Sequence, residues 1–184
     1  NKLPRPLLIR LSYLFKMVAP LIYKGNNVHC PVCERSFRKF LSYGSAVAHR
    51  ENVLCPYDLT LERHRLMWYY LKNHSSFFTA QNIDLLHIAP EQCFHGKFKK
   101  QKNLNYTTGD LESPIADLHF DLHDIPLGNN SFDVIFCNHV LEHVKDDHQC
   151  MKELYRIMKK GGWGIFQVPI DYNRDKTYED PSIT

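Results

Sequence analysis

No apolar stretch in the 184-residue chain reaches the ~18 residues that span a bilayer, which excludes a multi-pass membrane protein. Low-complexity tracts are missing too. With 43% hydrophobic, 12% aromatic and 23% charged residues, the chain can pack a core, so global disorder is excluded. No cleavable secretory signal is evident, and the six cysteines lack the pattern of a disulfide scaffold. A reducing, cytoplasmic setting is expected. The first residue is Asn1 rather than Met, so an upstream residue or segment is expected to be missing. Excess charge of one sign is small: a net +3 does not by itself argue for nucleic acid. The charge is unevenly spread, however. Residues 1–75 hold 12 Lys/Arg against 4 Asp/Glu, and residues 76–184 hold 11 against 16. Either the two parts meet different partners, or each other, or the asymmetry only serves solubility.

What is present falls into three segments. In residues 1–27, Leu7, Leu8, Leu11, Leu14, Phe15 and Val18 recur at helical spacing, with Arg5, Arg10 and Lys16 between them. This predicts a basic amphipathic helix ending near Pro20. It either lies on an anionic membrane surface or packs against its own domain or a partner subunit. Residues 28–75 form a small cysteine unit and a linking helix over 59–74, whose apolar side is read as Leu59, Leu66, Tyr70 and Leu71. From residue 76 to 184 strands and helices alternate. Strands are predicted at 83–89, 104–108, a short one ending at Asp121, 132–138 and 163–168. Helices are predicted at 91–102 and 146–159. The second turns Cys150, Leu154, Ile157 and Met158 inward, with Gly161-Gly162 stopping it. Alternation of this kind implies an open, doubly wound α/β sheet of parallel strands. Its ligands sit beyond the carboxyl ends of the strands. Those ends carry residues 87–91, Asp110, Asp121 and residues 138–143. No Gly-x-Gly-x-x-Gly follows the first of these strands, which disfavours a nicotinamide-dependent oxidoreductase.

Residues 121–162 carry a resemblance. Asp121 stands five positions before Pro126, and Ser131-Phe132-Asp133 opens a hydrophobic strand. Leu141-Glu142-His143 follows, and Arg156-Ile157-Met158-Lys159-Lys160-Gly161-Gly162 ends the pattern. In this the chain resembles the class I S-adenosylmethionine-dependent methyltransferases of the type 11 group, over roughly residues 83–171. The resemblance implies a Rossmann-like fold, S-adenosylmethionine as cofactor, and methyl transfer to an unidentified acceptor, a small molecule or RNA. It implies that Asp121 accepts from the adenine amino group. Leu122 offers the ring its backbone N–H and its side chain. Asn138 contacts the methionine part, and His139 and Val140 flank the sulfonium. Asp110 ends the second strand of this half, where a carboxylate accepts both ribose hydroxyls, with Leu111 beside it.

The first loop departs from the family. In place of acidic-x-Gly-x-Gly-x-Gly stands His87-Ile88-Ala89-Pro90-Glu91-Gln92-Cys93, without a glycine. Ala89 is small enough to replace one glycine. Glu91 adds a carboxylate for the ligand's ammonium group, and His87 completes the loop's contact set. S-adenosylmethionine has no phosphate, so a phosphate cradle is not required. A general base is needed only for an acceptor that must lose a proton. The candidates are His139, Glu142, His143 and Tyr172, and Glu142-His143 equally read as a cap for the next helix. The family's final helix and hairpin have no room before Thr184, so a C-terminally incomplete sheet is expected.

Cys30-Pro31-Val32-Cys33 and Cys55-Pro56-Tyr57-Asp58 are spaced like the two knuckles of a zinc ribbon. Asp58 takes the fourth place, giving a zinc set of Cys30, Cys33, Cys55 and Asp58, with His29, His49 and His64 as substitutes for it. The alternative is a metal-free ribbon held by Phe37, Phe40 and Leu54. Arg35, Arg38, Lys39, Arg50, Arg63 and Arg65, interleaved with Phe37, Phe40 and Tyr43, offer phosphate and base contacts to RNA, as in zinc-ribbon ribosomal-RNA methyltransferases. Two readings of the whole stand: a methyltransferase, or a non-catalytic zinc-ribbon binding module on a degenerate methyltransferase scaffold. The missing glycines motivate the second.

Overall fold

The computed structural model describes residues 5–45, 49–170, 173, 175 and 176, and divides the chain into residues 1–79 and 80–184. The first unit opens with helix α1 (Arg5–Ile22). Pro20 does not end it: Tyr23 N–H reaches Ala19 O at 2.9 Å and closes the last turn behind the proline. Leu11, Leu14, Phe15, Val18 and Leu21 are exposed along it. Two antiparallel hairpins follow, β1 (Lys24–Cys30) with β2 (Arg35–Phe37), and β3 (Leu41–Tyr43) with β4 (Arg50–Leu54). Helix α2 (Glu62–Asn73) starts where the His64 ring caps the Leu61 N–H at 3.0 Å. Its buried side is His64, Met67 and Leu71, an i, i+3, i+7 stripe. This corrects the expected face: Leu66 and Tyr70 are exposed. No described helix is long and apolar enough to cross a membrane.

The second unit is built on one five-stranded sheet in the order β7-β6-β5-β8-β9, parallel throughout. The strands are β5 (Ile83–Ile88), β6 (Leu104–Asp110), β7 (Leu118–His119), β8 (Phe132–Asn138) and β9 (Met158–Gln167). Helices α3 (Gln92–Phe98) and α4 (Asp147–Ile157) make the crossovers. Strands β5 and β8 are apolar on both faces because helices cover both sides of such a sheet. One core cluster joins Leu86 and Ile88 of β5, Ile135 and Cys137 of β8, and Cys150, Leu154 and Ile157 of α4.

The end of α4 differs from expectation. The helix stops at Ile157, before the glycines, and Lys159 and Lys160 are already in β9. Ser131 N–H and Asn130 N–H take the carbonyls of Ile157 and Arg156 at 2.7 and 3.0 Å. The Lys159 ammonium is drawn between Asp133 at 2.9 Å and Asp84 at 2.5 Å. Pairing passes from Phe132↔Met158 to Val134↔Trp163, so the residues between bulge out. Gly161 has φ +83° in that bulge, and a Cβ on Gly162 would stand 2.9 Å from Asp133 O. The glycines therefore shape a strand bulge and do not stop the helix.

Candidate functional site

The sheet order reverses between β5 and β8, so the strand ends part there and leave a crevice. Both strands finish in the same unusual way. Ala89, just past β5, has φ +48°, and His139, just past β8, has φ +56°. Each costs a non-glycine residue about 1–2 kcal/mol. Each turn is pinned by a neighbouring strand, through Ala89 N–H to Gly109 O and His139 N–H to Gln167 O, at 2.8 and 2.7 Å. Ala89 thus keeps the backbone conformation that a glycine would supply at the start of the loop.

A polar chain fills the crevice. His87 is wholly buried, with Nδ1 3.0 Å from the Tyr106 hydroxyl and Nε2 2.5 Å from Glu91 Oε2. Asn138 Nδ2 donates to Glu91 Oε1 at 3.2 Å. The Glu91 carboxylate is therefore held from β5 on one oxygen and from β8 on the other. His87 reaches the rim only through Glu91. Burial first, and the charge of Glu91 second, push the Tyr106 hydroxyl above its ordinary value. Tyr106 was not in the expected site. Its role depends on β6 lying beside β5, with Leu85 opposite Tyr106, and the sequence gives no sign of that register.

Further along the rim, Asp110 Oδ1 accepts from the N–H groups of Glu112 and Ser113 at 2.8 and 2.7 Å. Its Oδ2 makes no hydrogen bond among the described residues. Leu111 stands 64% exposed beside it. At the end of β7, Asp121 Oδ1 accepts from His123 N–H at 2.9 Å and pairs with His123 Nδ1 at 2.6 Å. His123 Nε2 accepts from Asp146 N–H at 3.2 Å, so the ring proton sits on Nδ1 and is donated to Asp121. These bonds, backbone first, hold the Asp121 carboxyl below its usual range. The Leu122 side chain packs into the core and does not stand over the rim.

At the end of β8, His139 Nδ1 lies 3.2 Å from Glu142 Oε1, and His143 Nε2 is 4.0 Å from the same oxygen. Glu142 Oε2 and Gln167 Oε1 are buried without a hydrogen bond among the described residues. Residues 141–143 form a 3-10 turn (Leu141–His143), and the next helix is capped by Asp146, which accepts from Gln149 N–H at 2.8 Å. Glu142 and His143 are thus not the cap. Tyr172 lies outside the described residues.

The donor set can be tested against an adenosyl sulfonium cofactor. Glu91, Asp110 and Asp121 offer carboxylates, while the loops at 87–91, 110–126 and 138–143 contain no Lys or Arg. That suits hydroxyl, amino and ammonium donors on a cationic nucleoside. It does not suit the pyrophosphate of a dinucleotide.

In the first unit, two loops repeat one geometry. Glu34 N–H bonds Cys30 O at 2.8 Å, and Leu59 N–H bonds Cys55 O at 3.0 Å. Glu34 and Leu59 have φ values of 58° and 60°. Asp58 therefore occupies in the second knuckle the place of Cys33 in the first. The ligand atoms of Cys30, Cys33, Cys55 and Asp58 all lie within 4.8 Å of one another. Cys33 Sγ is 3.8 Å from Cys55 Sγ, and Cys30 Sγ is 3.5 Å from Asp58 Oδ2. A zinc tetrahedron with bonds of about 2.3 Å to sulfur and 2.1 Å to oxygen has edges of about 3.8 and 3.6 Å. Thr60 fixes the carboxylate, donating to Asp58 Oδ1 from Oγ1 at 2.7 Å and from N–H at 3.1 Å. Burial raises the Asp58 carboxyl, and hydrogen bonding with Cys30 pushes the Cys33 thiol up to about 12. His64, whose Nδ1 accepts the Leu61 N–H, is not among the ligand atoms gathered there.

The residues offered for RNA are divided: Arg35, Arg38, Lys39, Tyr43 and Arg50 are exposed, and others are taken up within this unit. Phe37 and Phe40 are buried. The Arg35 guanidinium lies 3.7 Å above the Tyr57 ring, and Arg65 donates to the carbonyls of Val53 and Thr60 at 2.9 and 2.8 Å.

A family profile described as a methyltransferase domain matches residues 70–166. The chain belongs to this methyltransferase family, and its parallel sheet is of the class I, Rossmann-like type. Among solved structures, it is similar to a Methanococcus maripaludis protein put forward as an S-adenosyl-L-methionine-dependent methyltransferase, at 17% identity and TM-score 0.45, over 55% of this chain and 52% of that one. A Bacillus halodurans protein put forward as a methyltransferase matches at 19% identity and TM-score 0.43, over 50% of this chain and 43% of that one. A SAM-dependent methyltransferase from Aquifex aeolicus matches at 14% identity and TM-score 0.45, over 63% of this chain and 74% of that one. The chain spans about half the length of the first two. No curated protein matches it.

Proposed function

We propose that residues 80–184 bind S-adenosylmethionine across the strand ends and transfer its methyl group to a small-molecule acceptor. The observation that carries this is the order of acceptors along the rim. From β7 to β8 stand Asp121, Asp110, Glu91 and Asn138, in the sequence adenine, ribose, amino acid that the cofactor would need. When bound, S-adenosylmethionine supplies a methyl on a positively charged sulfur, which an acceptor takes by in-line displacement. The chain's own part is alignment and exclusion of water. Asp110 would hold the ribose through Oδ2, Asp121 the adenine amino group, and Glu91 with Asn138 the amino-acid end. His139, with Nδ1 on Glu142, is placed to take a proton from an acceptor that must lose one. A small acceptor is favoured over RNA because Phe37 and Phe40 are buried and Arg65 is spent on backbone carbonyls.

Residues 28–60 are read as a structural zinc ribbon with Cys30, Cys33, Cys55 and Asp58 as ligands. Thiolates of this kind persist in a reducing compartment, which agrees with a cytoplasmic location. Calorimetry with S-adenosylhomocysteine tests the first claim. Saturable one-to-one binding is expected, and no binding at high micromolar concentration would favour the scaffold reading. Elemental analysis tests the second: about one zinc per chain is expected, and a folded, metal-free protein would overturn it.

A further inference from the structure

The loop after β5 has lost the glycines that let a backbone approach a ligand, yet its one carboxylate is more tightly fixed than a lone loop side chain would be. We infer that Tyr106 and His87 are positioning residues that hold the Glu91 carboxylate at the strand ends as the acceptor for an aliphatic ammonium group, that of the cofactor's amino-acid end. This rests on the nucleoside site proposed above. Glu91 touches the ligand; Tyr106 and His87 act through it.

The chain of bonds sets one proton arrangement. Tyr106 is partly buried, and desolvation first, with the nearby Glu91 charge second, keeps its hydroxyl protonated. The Glu91 carboxylate can only accept, so the proton of the neutral His87 ring sits on Nε2, aimed at Oε2 at 2.5 Å. Nδ1 is then the acceptor nitrogen and takes the Tyr106 hydroxyl proton at 3.0 Å. Asn138 Nδ2 donates to the other oxygen at 3.2 Å. Two donors from two adjacent strands thus fix the plane of the carboxylate. His87 has no exposed surface and lies tilted to Phe98 and edge-on to Phe136, with ring centroids 6.0 and 5.9 Å away, so it cannot meet a ligand itself. Glu91 keeps 15% of its side-chain surface open, which is enough for one charged partner at the rim. In the family pattern an acidic residue ends the strand and bare glycines follow. Here the strand-end position holds His87, and the acid has moved four residues on, where the histidine reaches it.

Two ligands separate this from a general packing role. S-adenosylhomocysteine and 5′-methylthioadenosine share the adenosine and the sulfur, and only the first has the amino-acid end. Wild-type protein is expected to bind both. Glu91→Gln is expected to weaken S-adenosylhomocysteine about tenfold or more, as for loss of a charged hydrogen-bond partner, and to leave 5′-methylthioadenosine within about twofold. Tyr106→Phe is expected to weaken the first ligand about three- to tenfold with the second unchanged. His87→Gln, which keeps a donor for Glu91, should retain more affinity than His87→Ala. In the ligand-free protein, 15N NMR should find His87 protonated on Nε2 and not on Nδ1. Equal losses for both ligands, unchanged S-adenosylhomocysteine affinity in Glu91→Gln, or a proton on Nδ1 would each overturn the inference while leaving the nucleoside site standing. Wild-type protein that binds neither ligand would overturn the nucleoside site, and the inference with it.

Discussion

Ala89 shows how one residue can replace a glycine in one respect and not in another. It takes the left-handed turn, at φ +48°, and accepts the strain that goes with a Cβ there. Ala89→Gly is therefore expected to leave stability unchanged or raise it by up to about 1 kcal/mol in urea denaturation, and a clear loss would contradict the strain argument. Asp110 spends one oxygen on its own turn and leaves the other toward the rim. Asp110→Ala should weaken S-adenosylhomocysteine by about 1–3 kcal/mol, and unchanged affinity in calorimetry would remove Asp110 from the site. Asp110, Asp121 and Glu91 could be picked out in the sequence because strand ends and acids are local signals. Tyr106, His123 and Thr60 could not. Each acts by reaching a neighbour set by strand register or turn geometry, as Thr60 does in bonding Asp58.

Strand β9 begins where an amphipathic helix pattern still continues, because Lys159 is claimed by two acids from other strands. Tertiary charge pairing overrides local periodicity there, and periodicity alone placed the helix end too late. The same limit applies to α2, whose buried stripe is set by what the first unit covers and not by where Leu66 and Tyr70 fall in the sequence. The clamp has a pH signature. Lys159 and then Asn105 hold the Asp84 carboxyl below its usual range, and Asp133 and then Asp84 hold the Lys159 ammonium above its own. A lowered carboxyl adds stability that is present above about pH 4 and fades as pH falls further. A raised ammonium adds stability that is present below about pH 10 and fades as pH climbs. With both groups about one third exposed, the contribution is at most about 1 kcal/mol. The stability gap between wild type and Asp84→Asn should narrow in acid; a gap that stays constant through pH 3 would show that charge pairing is not its source. Packing in the same region is a larger effect. Leu154 is buried against β5 and β8, so Leu154→Ala should lower stability by about 2–5 kcal/mol in denaturant titration. A loss under 1 kcal/mol would contradict that packing.

The whole molecule joins two units of different physical character. The second is built on one five-stranded sheet, whereas the sheets of the first are two short hairpins, each marginal alone, beside a small buried set that includes Phe37, Met67 and Leu71. The uneven charge along the chain was legible from composition, but it said nothing of what the arginines reach: Arg65 is spent on two backbone carbonyls, whereas Arg35, Arg38 and Arg50 stay exposed. Metal ligation would supply the missing stability in the first unit. Chelation should therefore speed amide exchange through residues 24–60 and leave β5 and β8 protected. Uniform exchange across both units, or none, would contradict that division. The central claim is that a nucleoside lies across the strand ends with its ribose on Asp110 and its amino-acid end on Glu91. The most direct measurement is a crystal structure of the protein with S-adenosylhomocysteine. Density running from Asp121 past Asp110 to Glu91 is the predicted result; a ligand bound elsewhere, or one whose ribose turns away from Asp110, would contradict it.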